Sequence, residues 1–221
     1  MSSDGPKSRN HERETVFSLT EESTVRSDRS PSDERELVEQ AKRDPEAFGL
    51  LYERYVAQIY RYLYYRTGNP QDAEDLTART FYRALEHLPR YQERGLPFTA
   101  WLYRIAHNIV VNWQRDRRRR PVIALDQVVT YAGAEGDPQG ALEEQEEREQ
   151  LLRAFRRLSP ERQELLILKF VEGMSNAQIG AIMGRSEGAI KSLYHRTLLE
   201  LKKNLEGTED GGARSNPGPD Q

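Results

Sequence analysis

The sequence predicts an all-α chain, with two small helical domains joined by a flexible linker and polar tails at both ends. Three observations carry this. Apolar residues recur every three or four positions through most of the chain, the spacing of one helix face. Proline, glycine, asparagine and serine fall between those stretches, where helices begin and end. No stretch alternates apolar and polar residues persuasively, as a half-buried strand would.

Residues 1–32 are polar, serine-rich and aperiodic, and are expected to be disordered. The first domain spans 33–120. Asp33 with Glu36 fits a capping box ahead of ELVEQAKR. Asp44-Pro45 opens a second helix, with proline at its first position. Phe48, Leu51, Tyr52, Tyr55, Ile59, Tyr62 and Leu63 give that helix its apolar face, and Gly68-Asn69-Pro70 stops it. A third helix buries Ala73, Leu76, Thr80, Phe81, Ala84 and Leu88 and ends at Pro89. After the loop RYQERGLP, a fourth helix is expected from Phe98 to Arg119, with Phe98, Leu102, Ile105, Ala106, Ile109 and Trp113 on one face. Residues 121–137, PVIALDQVVTYAGAEGD, have no helical period and read as the linker. The second domain, 138–206, opens with an acidic helix ending at Leu158; Ser159-Pro160 starts the next, and two short helices follow. Residues 207–221 read as a second disordered tail.

Composition narrows the function. The 221 residues are 36% hydrophobic and 31% charged, with a net charge of −3 and no cysteine. Disulfides and thiolate metal sites are therefore excluded. No apolar stretch is long enough for a membrane span, and MSSDGPKSRN lacks the apolar core of a secretory signal, so a soluble cytoplasmic protein is expected. The near-neutral total conceals patterning: RDRRRR (Arg115 to Arg120) is strongly basic, and EGDPQGALEEQEEREQ is acidic. Four scattered histidines form no metal motif, and there is no phosphate-cradling glycine loop or nucleophile elbow. No catalytic constellation, metal site or cofactor is expected.

The most informative stretch is SNAQIGAIMGRSEGAIKSLYHR. Ser175 with Gln178 is a capping box; Ile179, Ile182 and Met183 form an apolar face; Gly184 ends the helix in a conformation that glycine tolerates. Ser186 can cap a second helix, buried through Ile190, Leu193, Thr197 and Leu201. This is a helix-turn-helix pattern. At 100° per residue Gly188, Lys191, Ser192 and His195 fall opposite the buried side, with Glu187 and Arg196 on the flanks. Such a polar row suits a major groove; it equally describes the solvent face of an ordinary helical hairpin.

On the fourth helix Arg104, Asn108 and Arg115 line a flank away from the core, Asn112 lies nearer its edge, and Arg117, Arg118, Arg119 and Arg120 follow. Tyr91, Phe98, Trp101 and Tyr103 lie nearby, as stacking platforms for bases or as core. Four successive arginines exceed what a helix C-terminus needs, which favours a nucleic-acid backbone.

Together these blocks resemble the extracytoplasmic-function (ECF) group of bacterial sigma factors, over about Glu34 to Glu206. EDLTARTFYRAL is similar to the family's polymerase-clamp segment. FTAWLYRIAHNIVVNWQRDRRRR resembles the helix that binds and melts the −10 element. LSPERQELLILKFVEGMSNAQIGAIMG resembles the start of the −35-reading domain, and GAIKSLYHRTLLEL its recognition helix. The resemblance implies a sigma region-two bundle and a region-four helix-turn-helix, core RNA polymerase and promoter DNA as partners, and no catalysis, cofactor, small-molecule substrate or membrane insertion. An anti-sigma factor restrains many members. By resemblance, Asp75, Thr77, Thr80 and Phe81 meet polymerase; Tyr91, Arg104, Asn108, Asn112, Arg115 and Arg117 to Arg120 meet the −10 region; the loop from Pro89 to Pro97 holds a flipped base; and Arg185, Ser186, Glu187, Gly188, Lys191, Ser192, His195 and Arg196 meet the −35 element.

The sequence departs from the family pattern at three places. Ala78-Arg79 replaces a common Gln-Glu pair, Asn112 a frequent Asp, and Leu193 a frequent Arg. Two other readings stay open: a conventional helix-turn-helix regulator binding an operator, and a sigma mimic that binds protein partners without reading DNA.

Overall fold

A computed structural model describes residues 31–93, 95–116 and 141–209. Among them the regular structure is helical: α1 (Pro31–Ala41), α2 (Pro45–Thr67), α3 (Pro70–His87), a 3-10 turn (Leu88–Arg90), α4 (Phe98–Asp116), α5 (Ala141–Arg156), α6 (Pro160–Leu166), a π turn (Ile167–Val171), α7 (Asn176–Met183) and α8 (Glu187–Glu209). The expected linker, 121–137, and Arg117 to Arg120 lie outside the described residues.

Local chemistry sets the helix ends in the first block. The Asp44 side chain accepts from the Glu46 amide, satisfying one of the donors a helix start leaves free. Gly68 closes α2 at φ 65°, a left-handed conformation that a side chain would strain. Asn69 caps α3 through the Asp72 amide. The expected cap at Asp33 is displaced: α1 begins at Pro31, so Asp33 sits inside its first turn, where its charge favours the helix N-terminus. Pro89 does not end the coil at once, because the 3-10 turn accepts proline near its start. At the far end α8 runs to Glu209, past the expected boundary at 206.

Leu51, Ile59, Tyr62, Leu63, Leu76, Leu88 and Leu102 are fully buried where α1 to α4 pack. Burying each such side chain contributes about 1.5–3 kcal/mol. Tyr52, expected on the apolar face of α2, is instead exposed, with its ring edge against Phe81. In the second block Leu165, Ile167, Leu168, Ile179, Ile182 and Ile190 are buried, with α8 lying against α5, α6 and α7.

The two blocks meet. α7 packs on α4, and two carboxylates following Pro160 enter the seam between α2 and α4. Glu164 pairs with Arg66 at 2.9 Å, each side chain 3% exposed. Its other oxygen accepts from Tyr62 Oη at 2.6 Å and lies 2.6 Å from His107 Nδ1. Glu172 pairs with Arg61 at 3.0 Å and accepts from Tyr103 Oη at 2.5 Å. Gln114 Nε2 donates to the Arg66 carbonyl at 3.0 Å, fixing α4 to the end of α2.

Candidate nucleic-acid interface

The helix-turn-helix forms as its residues dictate. Ser175 Oγ accepts from the Gln178 amide at 3.2 Å, and Gln178 Oε1 accepts from the Ser175 amide at 2.7 Å, a reciprocal capping box. Gly184 ends α7 at φ 68°. Ser186 Oγ accepts from the Ala189 amide at 3.2 Å and starts α8. Ile190, Leu193 and Thr197 are buried; the Thr197 hydroxyl donates to the Leu193 carbonyl at 2.7 Å.

Arg185, Ser186, Glu187, Gly188, Lys191, Ser192, His195 and Arg196 are all exposed, on the first turns of α8 and the bend before it. Lys191 pairs with Glu187 at 2.8 Å, Arg185 pairs with Glu161 of α6, and Arg196 donates to the Ser192 carbonyl. Both ion pairs are surface contacts, which contribute little and yield readily to another anion. The row therefore offers cations and small polar groups on one exposed face of α8. Leu193 points inward, which removes it from any base contact.

A second polar row runs down α4: Arg104, Asn108, Asn112 and Arg115 are exposed. Asn112 is more open than its expected place near the core edge. Tyr91 is nearly buried, packed against Phe98 and Trp101 with ring centroids 5.6 and 4.8 Å apart. Burial, then the nearby Glu93, Glu34 and Glu39 charges, push its phenol up to about 12, so it stays neutral. Beside it a cavity of about 380 Å³ opens between α1 and the loop before α4, bordered by Glu34, Val38, Gly95, Leu96 and Phe98. The Arg35–Glu93 ion pair (2.6 Å) stands at its edge.

The expected polymerase face divides. Asp75 is exposed and pairs with Arg79 at 3.0 Å. Thr77, Thr80 and Phe81 are buried; the two hydroxyls donate to the Ala73 and Leu76 carbonyls at 2.7 Å. These three side chains present little surface in this conformation. Tyr52, whose ring edge meets Phe81, is exposed, as are Tyr82 and Leu85 of α3. The helical period places Thr80 and Phe81 on the buried side of α3 and leaves Tyr82 off it, as the structure has them.

Among the described residues there is no cluster of histidine and acidic side chains able to hold a metal. No described helix is long and apolar enough to cross a membrane.

Comparison with known proteins assigns both blocks. Residues 51–120 match the Sigma-70 region 2 family, and residues 148–201 match Sigma-70, region 4. The ECF RNA polymerase sigma factor BldN of Streptomyces coelicolor is 39% identical over 77% of this chain and 65% of its own length. RNA polymerase sigma factor YlaC of Bacillus subtilis is 31% identical over 70% of this chain and 90% of its own length. The chain belongs to the ECF sigma factors of RNA polymerase. A solved structure of CnrH in complex with the cytosolic domain of CnrY superposes with a TM-score of 0.53 at 25% identity, over 79% of this chain and 97% of that one. This ECF sigma factor thus has an all-α region 2 in α2 to α4 and a region 4 built on the helix-turn-helix, and its class is that of DNA-binding initiation factors.

Proposed function

We propose that this sigma factor divides promoter recognition between α8 and the α4 region, acts in the cytoplasm and has no catalytic activity of its own. The observation that carries this is the exposed row Gly188, Lys191, Ser192 and His195 on a helix whose start and opposite face are fixed by capping and burial. The helix-turn-helix would lay that row in the major groove of the −35 element, with Arg185, Ser186, Glu187 and Arg196 on backbone and flanks. The row Arg104, Asn108, Asn112 and Arg115, continued by Arg117 to Arg120, would follow the −10 strand and adjoining duplex. A non-template base flipped from the −10 element would enter the cavity beside Tyr91, taken out of its stack as in other base-extruding proteins. Asp75 with the Tyr52, Tyr82 and Leu85 surface would meet core RNA polymerase. CnrH was solved with a protein partner, so a protein regulator of this chain is a reasonable partner to seek.

Run-off transcription tests the proposal, using purified protein, core polymerase lacking sigma and a library of promoter fragments. Transcripts from defined starts sharing two spaced motifs are expected. Operator binding by the protein alone, without polymerase-dependent starts, would replace this reading with the conventional regulator.

A further inference from the structure

We propose that Glu187 and Lys191 jointly read one G·C base pair of the −35 element, as an intact ion pair laid against the base-pair edge, with Lys191 on the guanine and Glu187 on the cytosine. The inference rests on the proposed function, which sets α8 in the major groove but leaves Glu187 on its flank.

The exposed row thins once its own hydrogen bonds are followed. Ser186 Oγ accepts from the Ala189 amide, and the Ser192 hydroxyl donates to the Gly188 carbonyl at 3.1 Å. Arg196 Nε donates to the Ser192 carbonyl, and Arg185 pairs with Glu161 of α6. Glu187 and Lys191 are both exposed, one turn apart, and are bound to each other. Gly188 sets no side chain beside them, and nothing lies within 4 Å of where its Cβ would be.

A carboxylate on a DNA-facing helix meets phosphates that repel it, so on the flank Glu187 would weaken binding. It helps only against a donor, and the base donors that face the major groove are the amines of cytosine and adenine. Its place in the first turn of α8 favours the helix by itself, and Lys191 four residues on adds a little more. Those contributions are indifferent to the base opposite, so base preference separates the two roles.

The pair matches a base-pair edge. Lys191 Nζ and Glu187 Oε1 are 2.8 Å apart. In a G·C pair guanine O6 and cytosine N4 are hydrogen-bonded to each other, about 2.9 Å apart, and N4 keeps a second proton that points into the major groove. Nζ can donate to O6 while Oε1 accepts from N4, and the ion pair stays whole. A T·A pair offers the same order, O4 for O6 and N6 for N4. It lacks the N7 acceptor beside that oxygen and puts the thymine methyl against the ammonium. Reversing either pair sets amine against ammonium and oxygen against carboxylate. The base on the Lys191 side should therefore rank guanine first, thymine second, and cytosine and adenine far behind.

Run-off transcription tests this, using core polymerase with the full-length protein on an active promoter whose −35 positions are each changed to all four bases. One position is expected to show that order, with guanine preferred about tenfold over cytosine. Exchanging the two residues, Glu187→Lys with Lys191→Glu, keeps an ion pair and inverts its polarity, so cytosine should become preferred there by a similar factor. If the exchange lowers the thermal midpoint, Glu187→Gln carries the test: glutamine pairs with adenine, so thymine should replace guanine on the Lys191 side. The joint reading is overturned if no −35 position shows that order, or if the preference is unchanged in both variants; recognition of the −35 element by α8 then stands without it. Initiation weakened equally for all bases overturns it too, because the pair then acts on the backbone. Starts that ignore every −35 substitution refute the promoter reading itself, and the inference with it.

Discussion

Gly180 and Arg185 are bound to each other across the helix-turn-helix bend. The Arg185 amide donates to the Gly180 carbonyl at 2.8 Å, and a Cβ on Gly180 would lie 2.6 Å from the Arg185 carbonyl oxygen. That oxygen belongs to the backbone and cannot swing away. Gly180→Ala should force the bend open and cost about 1–3 kcal/mol, as overpacking does. A lowered thermal midpoint and weakened binding to a −35 duplex check this; Gly188→Ala, where nothing lies within 4 Å, is the control for folding.

The capping box makes a gentler prediction. Ser175→Ala removes the acceptor for the Gln178 amide at an exposed site, so destabilisation of about 1 kcal/mol is expected. Chemical denaturation should show the shift with little change in the denaturant slope.

Lys191 and His195 test the reading face. Both are exposed and support no core residue, so Lys191→Ala and His195→Ala should leave the thermal midpoint unchanged. Each is expected to weaken −35-dependent initiation by about 1–3 kcal/mol, measured on promoters with and without the element. Equal losses on both promoters would remove the residue from base recognition.

Arg117 to Arg120 should act without regard to sequence. Neutralising all four is expected to weaken promoter binding broadly and flatten its logarithmic salt dependence by up to ~0.9 for each phosphate that is no longer neutralised. An unchanged slope would take the cluster out of the interface.

Acid should loosen the domain seam. Burial pushes the Glu164 carboxyl up, but Arg66, and then His107 and Tyr62, outweigh it and hold it below its ordinary value of 4.5. A depressed carboxylate contributes docking stability that is complete above that ordinary value and is lost as pH falls through the lower, docked value. The interdomain distance should therefore hold from neutral pH to about 4.5 and lengthen below it, and Glu164→Gln should remove this carboxylate's contribution to that dependence.

What was legible in the sequence was local. The Asp44-Pro45 start, the Gly68-Asn69-Pro70 stop and the Ser175–Gln178 box are encoded within four residues, and each forms as expected. The residues joining the domains were not legible. Arg66 reads as a cation near a helix C-terminus and Glu164 as one acid among many; each becomes buried only because α6 arrives between α2 and α4. His107, unremarkable in sequence, falls into the same seam. Gly180 could have been noticed: glycine inside an apolar helix disfavours the helix unless something lies too close for a side chain. Thr80 and Phe81 were legible as buried residues of α3 from their spacing; their contact role, like that of Thr77, came from family resemblance alone.

The way Glu164 meets Arg66 also limits how freely these domains can be inherited. Helix-turn-helix modules are commonly imagined as interchangeable parts, each bringing its own target site. Here a grafted region 4 lacking a carboxylate at the place of Glu164 would leave a host cation buried without its counter-charge, while region 4 of this chain on a foreign host would carry an acid with no counterpart. Chimaeras should therefore behave well only when both halves of the seam travel together, so recombination at this joint is constrained by matching charge before any promoter is read.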